Sequence, residues 1–402
     1  MKPTSTLKYR IAAALLSVLA TSSTQIVWAD SSNPSVRPAI VGIAQQTAQQ
    51  PKIQLAILLD TSNSMDGLID QARNQLWRVV DEFSKARRDG MPVILEVAVF
   101  EYGNDTLSAE NGHIRKVTGL TTDLDLVSEA LFSLTTNGGS EYCGYTIKAA
   151  TEQLQWSTSD NDIKAIFIAG NEPFTQGPVP YTKAITKAKS VGIVVNTIHA
   201  GSYDEGRDSG WQDGALLAGG DYMSIDHNQK IAHIPAPQDQ RIAELNAELN
   251  KTYVPYGTQG QAGKQRQLEQ DANTSSISPA LLAKRAKSKA GSLYSNSQWD
   301  LVDAVRKDNV ELESLDESAL PAEMSGMDAG QRKAYVSEKA ETRAMIKREI
   351  AELSKAREEY VSEEKRRLAN DKASTVDDAF VDSIRKQGKQ KHYQFLSEQA
   401  RN

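Results

Sequence analysis

One cysteine, Cys143, stands in 402 residues. A lone thiol excludes an intrachain disulfide, so stability has to come from a packed core. Histidine is scarce as well: there are five, and they do not cluster at ligand spacing. His227 and His233 follow the last apolar run at i and i+6 and read as surface residues. The signatures of common enzymes are missing, with no Ser-His-Asp set, Walker loop, HExxH or CxxC. Beyond the first thirty residues no segment approaches the roughly 20 apolar residues that span a bilayer. Positive charge is in deficit, 46 Lys and Arg against 52 Asp and Glu. That balance disfavours nucleic acid and anionic lipid as partners.

The N-terminus reads as an address. Lys2, Lys8 and Arg10 form a positive stretch before an apolar core from Ile11 to Ala20. Val27-Trp28-Ala29 then sets small residues at the −3 and −1 positions of a cleavage site before Asp30. This is the pattern of a secretory signal peptide over residues 1–29; the alternative is an uncleaved anchor. Cleavage removes three positive charges and no acid, moving the net charge from −6 to about −9. No cysteine follows the apolar core, which excludes a lipid anchor. The expectation is an exported chain, periplasmic, with no stable membrane insertion after cleavage. Residues 30–51 read as a flexible leader.

From 52 onwards short apolar runs alternate with segments of helical period. The runs at 53–60, 93–103, 163–170, 192–201 and 221–226 are nearly continuous in apolar character, as strands buried on both faces of a parallel sheet require. Between them Leu68, Ala72, Leu76, Val79, Val80 and Phe83 recur at three- and four-residue spacing. Val127, Ala130, Leu131 and Leu134 do the same, as do Ile147, Ala150 and Leu154. The alternation predicts an α/β domain over 52–254, a doubly wound and mostly parallel sheet, closed by a helix through Ile242, Leu245 and Leu249. Residues 255–298 read as linker and short helices. A charged helical region follows over 299–402. Its Ile346, Ile350, Leu353 and Tyr360 form a weak heptad seam, interrupted by Arg343 and Arg357. That seam fits either a helix docked on the domain or a dimerising coiled coil.

The run Asp60-Thr61-Ser62-Asn63-Ser64 lies directly after the first buried strand and before the first helix. It gathers a carboxylate and two hydroxyls on a tight loop, oxygen donors of the kind a hard divalent cation takes. Asp60 and Ser62 are equally able to cap the helix or form an Asx turn. In its setting, however, the strand–DxSxS–helix opening resembles the von Willebrand factor A family and its metal-ion-dependent adhesion site. The resemblance covers roughly residues 52–228. It implies that Asp60, Ser62 and Ser64 hold a divalent cation, Mg²⁺ first, with Mn²⁺ and Ca²⁺ as alternatives. It also implies a Thr ligand from the loop 134–139, Thr136 in preference to Thr135. Where the family has an Asp at the end of its fourth strand, this chain has Gly170. Asn171 and Glu172 are then the candidates to reach the ion, directly or through water. Glu141 either adds a carboxylate or is a polar surface residue, and Cys143 reads as a small buried hydrophobe.

The resemblance implies a binding module that captures a partner protein's Asp or Glu on the cation, not an enzyme. Two other readings follow from the same residues. An open cation site can activate water, which would make a metal-dependent hydrolase with Glu141 or Glu172 as base. Alternatively the helical tail is the working part of a structural envelope protein, and its helices join copies of the chain into a homo-oligomer.

Overall fold

A computed structural model of the chain describes residues 50–63, 65–226, 233–368 and 376–395, apart from the side chains at 368 and 376–379. The signal peptide, the leader up to residue 49, Ser64 and His227 lie outside the described residues. The first half of the chain runs β1 (Lys52–Asp60), α1 (Asp66–Ser84), β2 (Ala86–Arg88), β3 (Met91–Pro92), β4 (Ile94–Tyr102), β5 (Ile114–Thr121), α2 (Leu124–Phe132), α3 (Cys143–Gln153) and β6 (Ile163–Gly170). It continues through α4 (Tyr181–Ser190), β7 (Val194–Ala200), α5 (Tyr203–Asp208), α6 (Trp211–Ala218), β8 (Tyr222–Ile225) and α7 (Asp239–Asn250). The last part holds α8 (Gly260–Ile277), α9 (Pro279–Ala290), α10 (Leu301–Arg306), α11 (Ala329–Leu368), α12 (Val376–Gln390) and β9 (Tyr393–Phe395).

Six strands form one sheet in the order β5-β4-β1-β6-β7-β8. All neighbours are parallel except the β4–β5 pair at one edge. Alternate residues of β1 serve two cores. Ile53, Leu55 and Leu59 face one, and Ala56 and Leu58 the other. In β6, Ala165 and Phe167 join the first, Ile166 and Ile168 the second. Both faces are covered, which is why these strands read as unbroken apolar runs. β5 left no such trace in the sequence. It is an edge strand, half-buried, with Arg115 and Lys116 exposed, and it joins β4 with register shifts around Val99.

The chain steps from β1 to β4 on one side and later returns to lay β6 on the other side of β1. The reversal opens a crevice at the carboxyl ends of β1 and β6, the place where open α/β sheets bind ligands. Asp60 ends one of these strands and Gly170 the other.

Residues 255–298 are not a linker. α8 occupies most of the stretch and buries a polar face: Gly263, Gln267, Gln270, Asp271 and Thr274. With no apolar period on the buried side, the stretch read as linker and short helices. α9 then packs Leu281, Ala283 and Ala286 into the same core as Leu55 and Phe83, so a boundary at 254 cuts through that core.

Buried charge holds the two parts together. Arg285, fully buried, donates to Asp125 at the start of α2 (2.7 Å) and to Asp271 of α8 (2.6 Å). Lys289 adds a 2.8 Å contact to Asp271, and the Arg285 guanidinium lies 4.7 Å from the centre of the Trp77 ring. Burial alone would raise the Asp271 pKa. Lys289 and Arg285 outweigh that and hold the carboxyl below its ordinary range.

The two arginines that interrupt the α11 seam are anchors of the same kind. Arg343 bonds Asp300 (2.6 Å) and the Thr252 carbonyl (2.6 Å), and its guanidinium lies 4.0 Å from the Tyr253 ring centre. Arg357 donates to Asp239 at 2.5 Å. Ile346 and Ile350 enter the chain's own core, so the seam serves docking of α11 rather than a dimerising coiled coil. The chain then returns to the sheet. Phe380 of α12 lies with its ring centroid 3.9 Å from that of Phe167, and β9 pairs with β2.

Arg285→Met leaves the buried Asp125 carboxylate without its cation and Asp271 with Lys289 alone, at a cost of about 3–5 kcal/mol. We expect urea unfolding, followed by tryptophan fluorescence and far-UV circular dichroism, to shift to lower denaturant in one joint transition. Two separated transitions would mean that the helical region folds apart from the sheet.

Candidate functional site

The end of β1 carries Asp60 into the crevice, where its side chain is fully buried. Its Oδ1 accepts the Ser62 N–H at 2.7 Å, so the Asx-turn geometry expected of this loop is present. The loop is fixed from β4: the Thr61 N–H donates to the Tyr102 carbonyl at 2.8 Å. From the other side the Asn137 N–H donates to the Thr61 carbonyl at 3.0 Å. The second oxygen is different. The Asn171 N–H and the Ser62 hydroxyl lie within electrostatic reach of the carboxylate, yet among the described residues no donor meets Oδ2 at hydrogen-bonding geometry.

Glu141, 5% exposed, lies against Asp60, with the Ser62 hydroxyl beside both. Burial, and then the proximity of Asp60, push the Glu141 carboxyl up to about 9; burial also raises Asp60. Without a cation the pair therefore shares a proton near neutral pH. Glu141 is buried and is not the polar surface residue that one of its two sequence readings expected. Cys143 is buried, as expected, with its thiol 3.7 Å from the Tyr102 hydroxyl and its pKa raised by burial.

Above this floor lies a more open rim. Asn171 and Glu172 are half-buried at the end of β6, and the Asn171 Oδ1 has no partner. Glu172 accepts from the Gln176 amide at 3.1 Å. The Thr136 hydroxyl donates to Asp66 at 2.9 Å. Thr135 is exposed, and its carbonyl takes the Asn104 amide at 2.9 Å.

Tyr102, Gly103 and Gly139, which the sequence reading passed over, shape the site together with Gly170. A Cβ on Gly170 would overlap the Tyr102 hydroxyl and come within 3.0 Å of Asp60 Oδ2. The Tyr102 hydroxyl is itself held by the Ala169 carbonyl at 3.0 Å. A Cβ on Gly139 would overlap the Gly103 carbonyl, and Gly103 has φ +79°. The signal in the sequence is the Tyr-Gly-Asn run at 102–104, closing the second apolar run as Asp60 closes the first.

The donor set fits a hard divalent cation: a buried carboxylate oxygen with no donor, a hydroxyl, a second carboxyl and an unpartnered amide oxygen. Without a cation, the two carboxyl groups oppose each other. Between the unfolded Glu value near 4.5 and the folded value of about 9 the native chain keeps a proton that the unfolded chain releases. Stability of the metal-free protein therefore falls as pH rises through that window. In chelator, we expect the melting temperature to drop from pH 5 to pH 9 in the wild type and to stay flatter in Glu141→Gln. Equal pH profiles would remove the carboxyl pair as the cause.

Neither a protein-family model nor a curated protein sequence matches the chain. Solved structures similar to it include the VWA domain of SpRpn10, at 14% identity over 43% of this chain and 87% of that one, TM-score 0.31. The vWF domain of the type V pili tip protein Mfa5 from Porphyromonas gingivalis matches at 13% identity, covering 44% and 90%, TM-score 0.31. The pilus adhesin SpaC from Lactobacillus rhamnosus GG matches at 13% identity, TM-score 0.32, over 45% of this chain and 28% of the adhesin. With its central β1, its single antiparallel edge and the Asp60 loop at the switch point, the sheet with its flanking helices has the open, doubly wound α/β arrangement that the sequence resemblance implies, followed by a helical C-terminal region.

Proposed function

We propose that this chain is an exported binding protein that holds a divalent cation, Mg²⁺ first, at Asp60 and captures a carboxylate of a partner protein there. The observation that carries the reading is the buried Oδ2 of Asp60 at the switch point of the sheet, which no donor meets among the described residues. Asp60 and Ser62 would hold the ion from below, with Ser64 of the same loop. Thr136, Asn171 and Glu172 stand on the rim to contact it directly or through water. A bound cation supplies an electrophilic position for an incoming carboxylate oxygen.

The rest of the work belongs to the protein. Parallel strands fix the floor, and the half-buried rim leaves one side open. An open groove of about 1060 Å³ begins at Asn171 and runs between Tyr181, His199 and α5, giving a partner's chain a bed beside the carboxylate position. Among the described residues no helix is long and apolar enough to cross a membrane. The N-terminal signal pattern supports export, with the periplasm as destination.

Two measurements test this together. Calorimetric titration of the full chain with MnCl₂ is expected to show one site, weakened roughly 10-fold or more in Ser62→Ala. Affinity capture from an envelope extract is expected to yield a partner in Mg²⁺ and to lose it in EDTA and in the variant. Capture that is equal in all three would take the cation out of the function.

A further inference from the structure

With glycine at the end of β6, the chain lacks a carboxylate where the resemblance predicts one. The gap cannot be filled from β6. At position 170 any side chain would meet the Tyr102 hydroxyl, which is buried and tied to the Ala169 carbonyl. Glu172, two residues on, is half-exposed and engaged by Gln176.

A carboxylate arrives from another element. The loop 137–141 is drawn onto the carboxyl end of β4 by two glycines. Gly139 has no Cβ to strike the Gly103 carbonyl, and Gly103 has none to strike Glu141 Cγ or Asp60 Oδ1. Hydrogen bonds from Asn137 N–H to the Thr61 carbonyl (3.0 Å) and from Asp105 N–H to the Gly138 carbonyl (2.8 Å) hold it there. The Asn104 amide, donating to the Thr135 carbonyl at 2.9 Å, ties down its start. The result is a second acid side chain at 5% exposure directly against Asp60. Two buried carboxyl groups in contact need either a shared proton or a cation between them. Among the described residues no donor meets Asp60 Oδ2 at hydrogen-bonding geometry, on a side chain with no solvent exposure.

We propose that Glu141 is the second carboxylate ligand of the cation site, replacing from the α2–α3 loop the strand-end acid that Gly170 cannot provide. This rests on the cation reading above. Two carboxylates balance the charge of a divalent ion, so the chain itself retains the cation before any partner arrives. Asn171 and Thr136 remain on the rim, the side from which a partner's carboxylate approaches.

The test is MnCl₂ titration of the full chain by calorimetry, in wild type, Glu141→Gln and Glu172→Gln. We expect Glu141→Gln to weaken Mn²⁺ binding by roughly 10-fold or more, a larger loss than Glu172→Gln at the rim produces. Gln matches Glu in shape, and the metal-free melting temperature of Glu141→Gln at pH 8 is expected at or above that of the wild type, which shows that lost binding is not lost folding. Wild-type affinity in Glu141→Gln, or the large loss falling on Glu172→Gln instead, overturns the assignment and leaves the cation reading standing. No Mn²⁺ bound to the wild type overturns both.

Discussion

A carboxylate at the end of a strand buried on both faces has few stable arrangements. It can be paired with a cation, saturated with donors, or protonated. Asp60 has one oxygen served by its own loop and the other by no donor at hydrogen-bonding geometry, and its nearest ionisable neighbour is a second acid. Everything around it presses that arrangement into place. β4 supplies the Tyr102 wedge, the loop before α3 supplies Glu141, and β6 supplies a glycine that lets the two approach. A buried carboxyl pair of this kind marks a candidate functional position, because the surrounding structure has to stabilise it from elsewhere.

That support comes from a larger core than the six-stranded sheet alone could make. The helices after α7 cover the sheet face formed by Leu55, Leu59 and Phe167, and they attach through buried ion pairs. Charges buried with full partners contribute modestly to net stability, but losing one partner is costly. They therefore fix where the helical region sits more than how strongly it binds. A separable tail has no place in such an arrangement.

The parts that could be read in the sequence were those in which one side chain type repeats with a structural period. The central strands gave continuous apolar runs, α1 gave its 3–4 spacing, and the Asp60 loop combined donor chemistry with its position after a strand. α8 hid because it buries Gln267, Gln270 and Asp271 rather than leucines. Arg343 and Arg357 looked like breaks in a seam because their carboxylate partners, Asp300 and Asp239, lie 43 and 118 residues away. β5 hid because an edge strand with one wet side needs no apolar run. At the site, the resemblance pointed to Thr136 and Asn171; the structure shows the Thr136 hydroxyl bonded to Asp66 and the Asn171 side chain half-buried at the end of β6. The close contact of Glu141 with Asp60 depends on glycines 103 and 139 meeting across two loops, and no local pattern records that.

The central claim is that an ion belongs at Asp60, and anomalous diffraction tests it most directly. Crystals of the full chain grown with MnCl₂, with data collected near the manganese edge, should show one strong peak within roughly 2.0–2.6 Å of Asp60 Oδ2, in the range of metal–oxygen bonds. A map without a peak there, with Asp60 and Glu141 still in contact at saturating Mn²⁺, would contradict the account.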